Sequence, residues 1–209
     1  TVGLGCDAGG IMVQDGSNGN LVTNNQVIGR NGNGVFIKAH AVSGGNNNSI
    51  IGNTIVGALY NSVELGFCTG NKINGNLMRD GLDGVYLVFA NGNEIQGNTI
   101  ANMRNHGVIS SNSYYSTVSG NQITNSNEAI YFFSTDYNRT FFNWLPPGDY
   151  RCHDNCLCGN RLESNAVAIF GAAAGGRGRI VRTGAEHPSV REPFARLVSE
   201  RRFEESVVD

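Results

Sequence analysis

An asparagine with nearly constant neighbours recurs along the chain about every 22 to 28 residues. An aliphatic residue or a methionine stands three residues before it and two residues after it, as Ile50 and Ile55 do around Asn53. The recurring positions are Asn25, Asn53, Asn76, Asn98, Asn121 and, after a longer gap, Asn160. A second polar column lies five residues earlier, at Asn20, Asn48, Asn71, Asn93, Ser116 and Asn155. A unit this short cannot bury its apolar side alone, so the pattern predicts copies that stack into a solenoid.

Each repeat also contains a short run in which apolar residues alternate with other residues, as at residues 34–37 and 84–87. Such alternation predicts β-strands with one face in a shared core. Gly and Asn fill the segments between these runs, and both tolerate positive φ at low cost. No repeat holds about ten residues of helical period that are free of Gly and Asn, which disfavours a helical solenoid. The sequence therefore predicts an all-β fold, a parallel β-helix of about six to seven coils.

The repeat divides the 209 residues into two parts. Residues 1–170 are predicted to form the β-helix, with an insertion at about 134–152 that contains the single tryptophan. The run that starts at Gly10 looks like half a coil, so either the chain is a piece of a longer β-helix or residues 1–9 cover this end as an irregular loop.

Residues 171–209 are predicted to form a Gly/Ala-rich linker and an arginine-rich tail. Near the end of the tail, four apolar residues fall near one helical face: Phe194, Leu197, Val198 and Phe203. This tail either caps the last coil as a helix, stays disordered or binds a partner as a helix.

The charge balance excludes some classes of partner. The formal net charge is −2 and the sequence pI is about 6.1, which disfavours nucleic-acid binding through a general basic surface.

No run of about 18 apolar residues exists, so no membrane span is predicted. The first residues lack the basic and apolar regions of a signal peptide, so such a peptide has been removed or was never present.

Three of the five cysteines, Cys152, Cys156 and Cys158, cluster around His153 and Asp154. An odd count leaves at least one thiol free or paired outside the chain. The cluster allows a disulfide, free thiols or a zinc site, and the zinc site would need a fourth ligand. A disulfide would favour a location outside the cytoplasm.

The repeat resembles the right-handed parallel β-helix repeat of carbohydrate-active proteins and related periplasmic proteins, over roughly residues 10 to 170. The matching segments are SIIGNTIVGALYNSVEL, KINGNLMRDGLDGVYL, EIQGNTIANMRNHGVI and TVSGNQITNSNEAIYF. The resemblance implies a right-handed coil and a secreted or periplasmic protein. The repeat itself leaves the activity open, because many functions use the same coil.

Candidate chemistry is expected on the outward side of the strands, because the inward positions are needed for the core. Alternation places Lys38, Glu64 and Tyr86 outward on successive coils, with Asp83, His106 and Glu128 at the turns just before the strands. Aromatic side chains stack on sugar rings, so the insertion is a second candidate region. The predicted substrate contacts are Phe36, His40, Tyr86, Tyr131 and Trp144.

Two of these segments also resemble the mannuronan C5-epimerases, which are β-helices with two acidic residues and a histidine on successive coils. GLDGV and NHGV match segments of two adjacent coils, and Glu64 stands where that family has an aspartate. The resemblance implies that His106 is the acid/base group, that Asp83 belongs to the catalytic set, and that Glu64 with Lys38 neutralises the substrate carboxylate. The Asp-Pro-His run of the family is absent, since Leu65 and Gly66 follow Glu64.

The predicted function is therefore C5 proton abstraction from an acidic polysaccharide, by an epimerase or a lyase. Two alternatives stay open: a non-catalytic glycan-binding or structural module, and a glycoside hydrolase that uses Glu64 and Asp83 as paired carboxylates. No cofactor or metal is predicted, with Ca²⁺ as the alternative because acidic glycans bind it through oxygen ligands. Polysaccharide is the predicted partner, and the oligomeric state stays open, with end-to-end association of the solenoid as one option.

Overall fold

The computed structural model describes residues 9–29, 32–39, 44–134, 151–163, 179–183 and 204–208. These residues form strands joined by turns, and no helix in this part of the chain is long and apolar enough to cross a membrane. Three parallel sheets contain most of the strands. Sheet A consists of β1 (Gly9–Gln14), β4 (Asn33–Lys38), β7 (Asn61–Gly66), β10 (Asp83–Val88), β13 (His106–Ser111) and β16 (Glu128–Phe133).

Sheets B and C are built from shorter strands. Sheet B consists of β2 (Leu21–Thr23), β5 (Ser49–Ile51), β8 (Lys72–Asn74), β11 (Glu94–Gln96), β14 (Thr117–Ser119) and β17 (Cys156–Cys158). Sheet C consists of β3 (Gln26–Ile28), β6 (Thr54–Val56), β9 (Leu77–Arg79), β12 (Thr99–Ala101), β15 (Gln122–Thr124) and β18 (Arg161–Glu163). The chain visits A, B and C in turn, so each coil adds one strand to each sheet. The predicted parallel β-helix of about six to seven coils is confirmed, with six strands in each sheet.

The core lies between the three sheets and is filled by columns of aliphatic side chains. In sheet A the register aligns Val35 with Val63 and Val63 with Val85, and all three side chains are fully buried. Sheets B and C contribute the residues that flank the recurring asparagine, such as Ile50 and Ile55. The sequence periodicity therefore identified the inward positions correctly.

Both predicted asparagine columns form ladders of hydrogen bonds between coils. Asn76 donates from its backbone N–H and from Nδ2 to Oδ1 of Asn98, at 2.9 Å in each case. Asn98 repeats both bonds to Asn121. These side chains are buried at the turns, where each amide satisfies a backbone group that the short strands leave without a partner.

A separate pair of parallel strands lies near the end of the chain. Strand β19 (Arg179–Thr183) pairs with β20 (Glu204–Val208). The predicted cap helix falls mostly on residues 184–203, outside the described residues, and stays a prediction there. The last residues of that segment form β20 instead.

Candidate functional site

A row of polar side chains crosses sheet A at the point where its strands begin. The register aligns Asn61 with Asp83 and His106 with Glu128, and Asn33 joins the row because its Oδ1 accepts the backbone N–H of Asn61 at 3.0 Å. Each of these residues precedes a small residue and then an inward valine or isoleucine. The strand starts of five successive coils therefore bring their polar side chains together.

Small residues after the polar row let the coils approach closely. A Cβ atom added to Gly84 would lie 2.3 Å from the carbonyl oxygen of Gly107, and one added to Gly107 would lie 2.6 Å from that of Ala129. Both distances are shorter than any real contact, so these two positions require glycine. The Asp-Gly and His-Gly pairs of the sequence therefore reflect a packing requirement beside the polar row.

His106 lies between two carboxylates. Its Nδ1 is 2.7 Å from Oδ1 of Asp83, which also accepts the backbone N–H of His106 at 2.9 Å. Its Nε2 is 3.1 Å from Oε2 of Glu128. The side chains of His106 and Asp83 are 10% and 9% exposed, against 26% for Glu128. The ring is therefore held firmly from the buried side, and Glu128 is its more accessible partner.

Whether both ring nitrogens of His106 can form hydrogen bonds depends on the number of protons that the ring and the two carboxyl groups carry. A neutral imidazole donates from one nitrogen only, and an imidazolium donates from both. With Nδ1–H donated to Asp83, the contact between Nε2 and Glu128 forms when either the ring or the Glu128 carboxyl carries a further proton. The three side chains can thus share one proton, and Glu128 is the most exposed of them.

The imidazole of His106 also begins an aromatic stack on the outward side of sheet A. The ring of Tyr131 stacks on it at 5.2 Å between centroids, with an interplanar angle of 9°. The ring of Phe133 continues the stack at 5.2 Å from Tyr131. Tyr131 and Phe133 are partly exposed, so the stack offers an apolar surface next to the acid/base group.

Glu64 is held by two asparagines of the polar row. Its Oε2 accepts Nδ2–H of Asn33 at 2.9 Å and Nδ2–H of Asn61 at 2.8 Å. The side chain is buried, with 5% of the residue exposed. The register aligns Glu64 with Phe36 on one side and Tyr86 on the other. Because His106 is two strands further along sheet A, it lies about 10 Å from the Glu64 strand.

The predicted site residues are distributed unevenly. Asp83 and His106 are in direct contact, and Glu64 belongs to the same sheet face. Lys38 is half-buried, with Nζ 5.4 Å from the ring centroid of Phe36.

Phe36 lies in the outward row, yet it is fully buried, so its predicted contact with substrate needs a surface that this structure does not expose. His40 and Trp144 lie outside the described residues.

Two residues of the site, Asn33 and Asn61, were not predicted, and Glu128 was placed beside Asp83 and His106 without a role. Glu128 completes the contacts of His106, and Asn33 and Asn61 hold Glu64. The sequence carries a signal for them, since all three precede an alternating run at the same place as Asp83 and His106. Aligning the runs by their first inward residue, a valine or an isoleucine, would have identified the whole row.

The described cysteines are free thiols. Sγ of Cys156 lies 3.6 Å from Sγ of Cys158, and both side chains are exposed. Cys152 is half-buried, and Cys68 is in the core. Of the three alternatives for the cluster, the structure favours free thiols.

Three parallel sheets around one apolar core define the class of protein, a parallel β-helix. A family model described as periplasmic copper-binding protein (NosD) matches residues 41–146, slightly more than half of the 209 residues. The chain therefore belongs to the NosD family, and the predicted right-handed β-helix repeat is confirmed. Comparison with curated protein sequences gives no match.

The solved structures that match are epimerases of the same fold. The periplasmic alginate epimerase AlgG is 22% identical, with a TM-score of 0.63 over 78% of this chain and 42% of that protein. The A-module of the mannuronan C-5 epimerase AlgE4 from Azotobacter vinelandii is 16% identical, with a TM-score of 0.58 over 78% of this chain and 48% of that module. The chain thus spans less than half the length of these proteins, and the likeness establishes the fold.

The side chains of the matched segment do not fit a copper ion. Copper is bound by imidazole, thiolate and thioether groups, and the one imidazole of the segment, His106, contacts a carboxylate at each nitrogen. Burial raises the pKa of the Cys68 thiol to about 12, so it stays protonated. Met78 and Met103 are part of the apolar core. Among the described residues no three His, Cys, Asp or Glu side chains are placed to hold a metal ion.

Proposed function

We propose that the chain is part of a carbohydrate-active β-helix enzyme that removes the C5 proton of a uronic acid residue in an acidic polysaccharide. The observation that carries the proposal is the position of His106 between Asp83 and Glu128, at 2.7 Å and 3.1 Å. A general acid/base needs an orienting partner on one side and access to the substrate on the other. Asp83 supplies the first, and the more exposed Glu128 marks the second.

The proton moves between the substrate and the pair of His106 and Glu128. When the pair lacks its shared proton, Nε2 of His106 has a lone pair that can accept the C5 proton once the substrate displaces Glu128. Asp83 keeps the ring in the tautomer with the proton on Nδ1 and stabilises the imidazolium that forms. Asp83 is thus a positioning residue, and His106 is the proposed catalytic base.

The substrate carboxylate is assigned to Lys38 and Glu64. Proton removal at C5 places negative charge on the adjacent carboxylate, and groups that neutralise this charge lower the barrier. Lys38 acts as the counter-charge. Glu64 contributes only when its carboxyl group is protonated and donates a hydrogen bond, because Oε2 already accepts two amide N–H groups. Glu64 does not swing freely, because Asn33 and Asn61 both bind its Oε2.

Tyr131 and Tyr86 are the proposed sugar-binding residues on this face. Tyr131 stacks on the His106 ring and is partly exposed, so a sugar that contacts Tyr131 lies beside the base. Tyr86 is aligned with Glu64 in the register and is partly exposed. The predicted contacts of His40 and Trp144 complete the proposed binding set, and Phe36 is left out because it is fully buried.

An epimerase and a lyase share the first step and differ in the second. After the C5–H bond breaks, an epimerase returns a proton to the opposite face of C5. A lyase breaks the bond between C4 and the linking oxygen instead, and leaves a C4–C5 double bond. A hydrolase has less support, because the carboxylates of Glu64 and Asp83 are each bound by neighbouring side chains.

The fold and the family support a secreted or periplasmic enzyme. The family description and the AlgG structure both name periplasmic proteins. AlgG is an alginate epimerase and AlgE4 is a mannuronan C-5 epimerase, both polymers consist of uronic acids, and this chain shares the coil of the two enzymes. A uronic acid polymer is therefore the proposed partner, and copper has no part in the proposed reaction.

The test is turnover of uronic acid polymers in heavy water. Purified chain is incubated with polymannuronate, polyguluronate and polygalacturonate, with and without Ca²⁺. Deuterium at C5, read by NMR, reports proton abstraction, and ultraviolet absorbance of the new double bond reports elimination. His106→Ala and Glu64→Ala should each lower the rate by about a hundredfold or more.

The matched control is Glu94→Ala, which changes the same residue type as Glu64 outside both the site and its aromatic face. It should keep the wild-type rate. Full activity of His106→Ala and Glu64→Ala would contradict the site. Absence of exchange and elimination with every polymer would contradict the enzyme and favour a glycan-binding module.

A further inference from the structure

Tyr115 is an exposed aromatic residue at a backbone position that suits glycine. It lies at the turn between sheets A and B, and its φ is 54°. The same position in the other coils is occupied by Gly19, Asn47, Gly70, Gly92 and Asp154, all with positive φ. Glycine and asparagine adopt this region at low cost, and a bulky side chain does not.

Burial does not compensate the conformation of Tyr115. Phe89 also has a positive φ, of 47°, but it is 5% exposed and stacks on Phe67 at 5.3 Å. Tyr115 is 60% exposed. A strained residue that gains little from packing is a candidate for function.

The ring of Tyr115 forms one wall of a corner. The imidazole of His153 stacks flat on Tyr114, at 4.8 Å and 8°. Tyr115 stands nearly perpendicular to both rings, at 80° to His153 and 85° to Tyr114. Beside this corner, Nδ1 of His153 contacts Oδ2 of Asp154 at 2.8 Å, and the Asp154 side chain is 63% exposed.

We infer that Tyr115, His153 and Asp154 form a second sugar-binding site, which takes a pyranose ring of the polysaccharide. The C–H face of the ring packs on Tyr115, and its hydroxyl groups bond to Asp154. This ligand class matches an aromatic face beside an exposed carboxylate acceptor, because a pyranose has both a C–H face and hydroxyl donors. The inference rests on the proposed function only for the identity of the polymer.

The second site is distant from the proposed base. His106 begins β13 and Ser111 ends it, so the strand alone separates the two ends of sheet A by about 16 Å. Tyr115 lies beyond Ser111. A sugar at the second site is therefore several units away from a sugar at His106. It strengthens binding of a long polymer and does not touch the reacting atoms.

The test separates binding from stability with Tyr115→Gly. Glycine suits the backbone, so the melting temperature should stay the same or rise, while affinity for long polymannuronate, polyguluronate or polygalacturonate falls about threefold to tenfold. Binding is measured by titration calorimetry and affinity electrophoresis. With an active polymer, KM should rise for long chains and kcat should not change. Tyr115→Trp keeps the aromatic face and should keep the affinity.

Asn47→Gly is the matched control, since it makes the same backbone change in an earlier coil and should leave affinity unchanged. A lower melting temperature of Tyr115→Gly with unchanged affinity would show a structural role and overturn the inference. So would failure of the wild type to bind any of the three polymers. Normal turnover with unchanged KM in Tyr115→Gly would reject this site and leave the proposed reaction intact.

Discussion

Ser116 occupies a position that asparagine holds in the neighbouring coils. In this column Asn71 donates from Nδ2 to Oδ1 of Asn93 at 3.1 Å, which continues the ladder. The neighbour of Asn93 in the next coil is the hydroxyl group of Ser116. Its Oγ accepts the backbone N–H of Asn93 at 3.2 Å. Nδ2 of Asn93 is buried and has no hydrogen-bond partner. A buried donor without a partner costs about 1–3 kcal/mol.

Ser116→Asn should therefore stabilise the protein. The new Oδ1 would accept both N–H groups of Asn93, as the other steps of the ladder do. We expect the free energy of unfolding to rise by about 1 kcal/mol and the melting temperature by about 2–4 °C. Calorimetry of the variant checks this, and Ser116→Ala should lower stability. A lower melting temperature of Ser116→Asn would show that the turn has no room for the amide.

The catalytic candidates illustrate how far single residues can be predicted. Asp83 and His106 were predicted from the resemblance of GLDGV and NHGV to epimerase segments, and each stands before a glycine that the packing of the coils requires. Glu128 precedes alanine, so the same motif does not identify it. The contact of Glu128 with Nε2 depends on side-chain geometry, which the repeat pattern does not contain.

At the level of secondary-structure elements, Gly84 sets the distance between strands β10 and β13. Its missing side chain leaves room for the carbonyl oxygen of Gly107 and for Cγ2 of Ile100, which lies 2.6 Å from the position of a Cβ atom. Strands that approach so closely bring Asp83 and His106 within hydrogen-bonding distance. Packing and site geometry therefore depend on the same glycine.

Gly84→Ala should destabilise the protein by about 2 kcal/mol or more, because the methyl group meets backbone and cannot be relieved by a rotamer change. Gly29→Ala is the matched control, since nothing lies within 4 Å of its added Cβ atom. Chemical denaturation of both variants measures the difference. Equal stability of the two would contradict the close approach of β10 and β13.

Strand alternation predicts the face on which a side chain lies, and no more. It assigned Val35, Val63 and Val85 to the core correctly. It also assigned Phe36 and Glu64 to the outward face, and the register agrees. Both are nevertheless buried, because exposure depends on what surrounds a face as well as on its direction. For this reason the fold was easier to predict from the sequence than the set of residues that a substrate can contact.

At the scale of the whole molecule, the described thiols differ in how deeply the solenoid buries them. Cys68 lies in the core, where burial raises its pKa to about 12. Cys156 and Cys158 are exposed on β17. The hydrogen bond to Cys158 is the main cause that raises the pKa of Cys156.

Alkylation of the native protein with iodoacetamide should therefore label Cys156 and Cys158 and leave Cys68 unmodified. The thiolate is the reactive form, so labelling of Cys156 should be slower than that of an ordinary thiol at neutral pH and should increase as the pH rises. Peptide mass spectrometry measures each site, with urea-unfolded protein as the control. Rapid labelling of Cys68 in the native state would contradict its position in the core.

The ladder between Asn121 and Asn160 has a consequence for how this family of chains can vary. These residues are 39 positions apart, whereas Asn98 and Asn121 are 23 apart, yet both steps have the same 2.9 Å bond from Nδ2 to Oδ1. The circumference of a coil is thus set by its hydrogen bonds and not by its number of residues. Additional residues between two coils leave the ladder bond unchanged. New loops, and with them new specificities, can be acquired between coils without redesign of the scaffold.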